Sequence, residues 1–468
     1  MKYVSTRGQA PELGFEDVLL TGLARDGGLY LPAEWPEISP AAIARMAGAP
    51  YETVAMEVMR PFVGGEVPDP DLEAIIADAY ATFRHRTVAP LVQIGPSDWV
   101  LELFHGPTLA FKDVAMQVLA RLMDRALARR GTRATIVGAT SGDTGGAAID
   151  AFRGRSAIDI FILYPHGRVS DVQRRQMTTP DDANVHALAI DGTFDDCQNI
   201  VKALFNDLAL RDRIGLAGVN SINWARLLAQ IVYYFTSATA LGSPCRRVSF
   251  SVPTGNFGDV FAGYAAMRMG LPVERLVIAT NVNDILVRTL DSGVYETRGV
   301  VATHSPSMDI QISSNFERLL FELANRDPAR VRQQMASLKQ SGSFALEHDE
   351  LTAFREVFDA GCTDEAATLA EIRRLHGETG YLADPHTAVG TSVARRVARA
   401  PGVPMITLAT AHPAKFPAAV QRAVGVPPPT PPIVAEQAGR VERFTRLPAD
   451  VAAVAKFVDQ RRAGRAPA

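Results

Sequence analysis

Three glycine- or hydroxyl-bearing segments hold the residues best able to do chemistry. In Phe104-His-Gly-Pro-Thr-Leu-Ala-Phe-Lys-Asp-Val-Ala-Met116, Lys112 stands among Leu109, Ala110, Phe111, Val114 and Ala115. Desolvation there favours the neutral amine, the form that Schiff-base formation requires. The same pattern also suits a lysine that snorkels from an apolar helix to solvent. A second segment, Gly138-Ala-Thr-Ser-Gly-Asp-Thr-Gly-Gly146, offers backbone amides and hydroxyls at an expected helix start, a receptor for a carboxylate or phosphate. Its spacing is neither G-x-G-x-x-G nor the Walker pattern, and it lacks a G-x-S-x-G elbow. An ordinary tight turn would read the same way. The third, Pro253-Thr-Gly-Asn-Phe-Gly-Asp259, has two glycines three apart before a helix, so its amides can wrap a small anion with help from the helix dipole. A phosphate fits there only if Asp259 turns away.

These residues need strand ends and helix starts to hold them. Apolar runs at 133–137, 157–164, 183–190, 247–252, 275–279 and 405–409 read as buried strands. Between them lie helices, one marked by Cys197, Ile200, Val201, Leu204, Phe205 and Leu208 at three- and four-residue steps. That pattern makes Cys197 a core residue. Two more helices are expected near 222–241 and 258–269. Alternation of this kind predicts an α/β fold with parallel sheets, helices on both faces and ligands at the carboxyl ends of strands. Residues 1–95 differ, with helical patterns at 41–46 and 50–62 and no regular strand alternation. Five prolines within 426–432 predict a stiff extended connector, followed by a short terminal helix near 450–462.

A chain of 468 residues has room for roughly three domains and a large core. We divide it as an N-terminal domain 1–95, a lysine-bearing region with a smaller α/β domain 96–245, and the rest of a larger α/β domain with its tail, 246–468. Lys plus Arg number 48 and Asp plus Glu 51, a net charge of −3 that argues against nucleic acid as a partner. The three cysteines, Cys197, Cys245 and Cys362, are far apart, which suggests neither a disulfide framework nor a thiolate metal site and fits a reducing cytoplasm. Residues 1–14 lack a secretory core, and no stretch approaches ~18 uninterrupted apolar residues, so no membrane is expected. The nine histidines show no ligand spacing, so no metal is expected. Hydrogen bonding is the expected role of His105, His386 and His412.

The Lys112 segment resembles the lysine signature of the pyridoxal-phosphate enzymes of the tryptophan-synthase-β fold, fold type II. Glu102, Thr108, Ala110, Phe111, Lys112, Asp113, Val114, Ala115 and Met116 fall in that loose pattern. Residues 3–8, 22–32, 220–226 (Asn-Ser-Ile-Asn-Trp-Ala-Arg), 313–318 (Ser-Ser-Asn-Phe-Glu-Arg) and 410–416 (Thr-Ala-His-Pro-Ala-Lys-Phe) narrow the resemblance to the threonine synthase family, across nearly the whole chain and in the expected order.

That resemblance implies two doubly wound parallel-sheet domains plus a largely helical N-terminal domain. It implies pyridoxal 5'-phosphate as cofactor and a lyase of threonine biosynthesis that converts O-phospho-L-homoserine and water to L-threonine and phosphate. Lys112 would hold the cofactor and then shuttle protons. Gly255, Asn256, Phe257 and Gly258 would cradle its phosphate, and Thr410 would meet its ring nitrogen, although alone Thr410 reads as a strand-end hydroxyl bonded to backbone. Thr140, Ser141, Asp143 and Thr144 would receive the substrate carboxylate; many relatives carry Asn where Asp143 stands. Asn220, Ser221 and Arg226 would grip the substrate phosphate, although alone Arg226 reads as a surface residue. A serine or threonine dehydratase of the same fold would share Lys112 and the phosphate cradle but has no need of these three residues. A catalytically silent binding protein would have no chemical need of Lys112 and Thr410.

Overall fold

The computed structural model describes residues 1–463. Two parallel sheets form its frame. The larger has six strands in the order Phe358–Cys362, Val273–Thr280, Val248–Pro253, Met405–Ala409, Asp98–Glu102 and Leu91–Gln93. All neighbours are parallel except the last pair. The smaller has five parallel strands in the order Thr445–Pro448, Val185–Asp191, Ile158–Pro165, Ala134–Ala139 and Leu216–Ala217.

The six expected strands are all present, because each is an apolar run covered on both faces. Every residue of Ile158–Pro165 is buried, as parallel strands flanked by helices on either side require. The core confirms the two faces. One large cluster joins Ile136, Ile160, Phe250 and Leu276 to the helices Lys112–Arg130 and Trp224–Ala240. Separate clusters cover the opposite faces, one with Val137, Phe161, Cys197 and Leu204, the other with Val277, Val389 and Met405. Cys197 is a core residue, and burial pushes its thiol up to about 12.

Strands Asp98–Glu102 and Phe358–Cys362 carry charges or glycine and were not expected; neighbours on the large sheet hold them extended. Divisions at 95 and 245 cut across the sheets. Leu91–Gln93 and Asp98–Glu102 belong to the larger sheet, while Thr445–Pro448 returns to the smaller one and Val454 and Val458 of the terminal helix Val451–Ala463 pack on it. This pairing supports grouping by sheet rather than by chain position.

The N-terminal region holds helices Phe15–Thr21, Pro40–Arg45, Tyr51–Val63 and Asp69–Tyr80, with a two-stranded ribbon of Tyr3–Ser5 and Tyr30–Pro32. It shares the main core, since Tyr3, Trp35 and Phe62 surround the fully buried Trp224. Among the described residues no helix is long and apolar enough to cross a membrane.

Candidate active site

Loops at the carboxyl ends of strands from both sheets converge on Lys112, the first residue of helix Lys112–Arg130. The loop before it is fixed at several points. Asp113 accepts from Thr108 N (2.7 Å) and Thr108 Oγ1 (2.6 Å), and Gly106 sits where a Cβ would lie 2.4 Å from the Asp113 Cβ. Phe111 N donates to Thr410 O (2.8 Å) and His412 N to Leu109 O (3.0 Å), which ties the loops after the adjacent strands Asp98–Glu102 and Met405–Ala409 together.

Lys112 is 8% exposed, so it does not snorkel to solvent. Its Nζ donates to Ser307 Oγ at 3.4 Å and lies 3.7 Å from Asp143 Oδ2. Burial pushes the amine below its ordinary range; Asp143 opposes that shift, while the charges of Lys415 and Arg226 add to it. The positive end of the helix dipole acts in the same direction.

Asp143 comes from the other sheet, at the start of helix Asp143–Phe152. Lys415 Nζ reaches Asp143 Oδ1 at 2.9 Å, and Gln173 Nε2 donates to the same oxygen at 2.8 Å. Burial works against the ionised acid, but Lys415, Lys112 and the Gln173 donor outweigh it and hold the carboxyl well below the usual carboxylate range. In the same loop Thr140 Oγ1 accepts from Gly142 N and Gly145 N, each at 2.9 Å. The amides of Ser141, Asp143 and Thr144 find no acceptor among the described residues.

The loop of Gly255, Asn256, Phe257 and Gly258 opens helix Gly258–Arg268 without a side-chain cap. Phe257 adopts φ 63° there, a left-handed conformation unusual for a bulky residue and secured by packing on Phe316 and Phe358. A Cβ on Gly255 would lie 2.7 Å from Ser307 O, so only glycine allows that approach. The four amides of this loop make no hydrogen bond among the described residues, which suits a phosphate at a helix start. Asp259 turns away from the loop: its Oδ1 accepts from Tyr233 and Tyr234, and burial lifts the acid to about 6. The Thr410 hydroxyl makes no hydrogen bond within the described residues, so it is not bonded to backbone.

Arg226 lies in the first turn of Trp224–Ala240 and is 4% exposed, not a surface residue. Its guanidinium makes one hydrogen bond, from NH1 to Val219 O at 3.2 Å, and no carboxylate comes within 4.0 Å of it among the described residues. Burial lowers its guanidinium to about 10, so it stays charged at neutral pH. Its neighbours Ser221 and Asn220 are half-buried and exposed.

Several residues around the site carried no role in the sequence reading. Lys415 is fully buried and also donates to Thr108 O (2.6 Å) and Gln176 Oε1 (3.0 Å). Ser307 meets Lys112, and its amide donates to His386 Nε2 at 3.3 Å, while His386 Nδ1 faces Asp384 Oδ2 at 2.6 Å. Accepting at Nε2 leaves the ring proton on Nδ1. Lys415 lies inside the segment 410–416, but nothing in its spacing announces a partner so distant in sequence; Ser307 has no local signal.

Residues 88–405 match the model of pyridoxal-phosphate-dependent enzymes, flanked by matches to the threonine synthase N terminus over 2–80 and the threonine synthase C-terminal region over 387–458. Threonine synthase of Pseudomonas aeruginosa is 52% identical to this chain over 461 residues, covering 98% of each. The chain belongs to the threonine synthase family. The pyridoxal-phosphate-bound threonine synthase from Brucella melitensis superposes with a TM-score of 0.97 at 60% identity and full coverage of both chains. The yeast threonine synthase superposes at 0.94 and 40% identity, covering 99% of each. Like its family, the chain has the fold type II architecture, uses pyridoxal 5'-phosphate and is a lyase.

Proposed function

We propose that the chain converts O-phospho-L-homoserine and water to L-threonine and phosphate, with Lys112 as the attachment point of the cofactor and Arg226 as the main cation for the substrate phosphate. When bound, the cofactor supplies an electron sink next to the substrate α-carbon. Lys112 is suited to attach it because burial favours the neutral amine and its two polar neighbours are no closer than 3.4 Å. The Lys112 amine would also accept and return protons at successive substrate carbons.

Gly255, Asn256, Phe257 and Gly258 offer free amides to the cofactor phosphate, and the unbonded Thr410 hydroxyl is available to the ring nitrogen. A hydroxyl donates to an unprotonated ring but does not hold a proton on it, which suits elimination and replacement. Thr140 shapes the loop whose Ser141, Asp143 and Thr144 amides would receive the substrate carboxylate. Lys415 offsets the charge of Asp143, so an ionised acid can stand in this buried place.

The observation that carries this reading is Arg226: a buried guanidinium with unpaired donors and no carboxylate partner is a binding site for an anion. A dehydratase has no substrate phosphate to place there. Arg226→Ala should raise the KM for O-phospho-L-homoserine by about 10²-fold and leave cofactor affinity unchanged; equal losses in both would contradict the assignment. Product analysis closes the test, because phosphate and threonine must appear together. A keto acid from L-threonine would mark a dehydratase, phosphate without threonine a phospholyase, and no turnover a silent binding protein. The unpaired cysteines, two of them exposed, support a reducing cytoplasm as the compartment.

A further inference from the structure

Arg318 is fully buried, yet its guanidinium pairs with no carboxylate among the described residues. Each of its three nitrogens donates one hydrogen bond, to groups from three separate parts of the chain. Nε donates to Tyr30 O at 2.9 Å, NH2 to Ile222 O at 2.6 Å, and NH1 to Asn315 Oδ1. The Asn315 amide group extends the connection, since its Nδ2 donates to Ser221 O at 3.2 Å and to Asn256 O at 3.1 Å. Asn315 N also donates to Asn256 O at 3.0 Å. The guanidinium further stacks over Trp224, 5.8 Å from the ring centroid. One side-chain pair therefore touches the N-terminal ribbon, the segment 220–226 and the loop 255–258.

We propose that Asn315 and Arg318 are positioning residues that hold the substrate-phosphate segment 220–226 and the cofactor-phosphate loop 255–258 in a single register. A buried cation is expensive unless its donors are satisfied, and a planar five-donor fork is the side chain that can satisfy three carbonyl-type acceptors in fixed directions. A lysine could not reproduce that geometry. Neither residue touches the reacting atoms; both act through the backbone oxygens of Ser221, Ile222 and Asn256. The proposal rests on the assignment of segment 220–226 to the substrate phosphate.

The test uses the holoenzyme with Asn315→Asp, which keeps the acceptor for Arg318 but removes both Nδ2 donors. Loss of two partly buried hydrogen bonds, each aimed at one phosphate-binding segment, should raise the KM for O-phospho-L-homoserine, the Ki of inorganic phosphate as a competitor, and the Kd of the cofactor, each by about tenfold. A fall in melting temperature with all three constants within about twofold of the parent would overturn the proposal. If Asn315→Asp does not fold, Arg318→Lys gives the same readout. Arg226→Ala separates the two ideas. If it leaves KM and phosphate Ki unchanged, the substrate assignment fails; if it raises them while Asn315→Asp does not, the positioning role fails alone.

Discussion

Lys112 and Lys415 are buried lysines that reach the two oxygens of one carboxylate, and their surroundings differ in a way that separates chemistry from structure. Lys415 donates to Asp143 Oδ1, Thr108 O and Gln176 Oε1, all within 3.0 Å. Lys112 lies 3.7 Å from Asp143 Oδ2 and has one long hydrogen bond of 3.4 Å to Ser307. A lysine with all three donors satisfied is fixed in place by its partners. An amine with slack contacts in the same desolvated place has a neutral form within reach. Burial is common to both lysines; the under-supplied acceptors are at Lys112.

Removing each lysine should have opposite consequences. Lys112→Ala should abolish covalent cofactor attachment and lower turnover by about 10³-fold or more, with little loss of stability; a steady-state assay beside thermal melts checks both. Lys415→Met leaves Asp143 buried without its closest cation and should destabilise the fold by about 3–5 kcal/mol, read from denaturant midpoints. The same variant removes a charge that pushes the Lys112 amine down, so the pH at which apoenzyme takes up cofactor should move upward, visible by absorbance.

The shared carboxylate provides a pH test of smaller size. Its folded value is lowered, so the stability it contributes is present above the ordinary carboxylate value of about 3.9 and is lost as pH falls through the folded value. The stability gap between the parent and Asp143→Asn should therefore be constant near neutrality and narrow below about pH 4; a gap that widens on acidification would contradict the ion pair. Ser307→Ala should have the least effect. Deleting a 3.4 Å contact sits at the low end of the usual range of about 0.5–1.5 kcal/mol, a change in kcat/KM of about two- to threefold.

How far the sequence foretold this arrangement depends on whether a feature is local. Apolar runs such as 157–164 declared their strands because burial on both faces leaves a continuous signature. The Gly255–Gly258 and Gly138–Gly146 segments were legible as strand-to-helix turns because strand, glycine and helix start are adjacent in the chain. The Lys112 segment stood out for its apolar neighbours. What escaped depends on groups brought together by the fold. Lys415 meets Thr108 across 307 positions, Ser307 meets Lys112 across 195, and Thr445–Pro448 pairs with Val185–Asp191. Arg226 was ambiguous for the same reason: one arginine at a helix start carries no mark of burial.

We propose that position 112, and not the other buried lysine beside the same carboxylate, carries the cofactor. Borohydride reduction of the holoenzyme followed by peptide mapping tests it directly. The account predicts the cofactor fixed to the peptide containing Lys112 and none on the peptide containing Lys415; label at Lys415, or at neither, would contradict it.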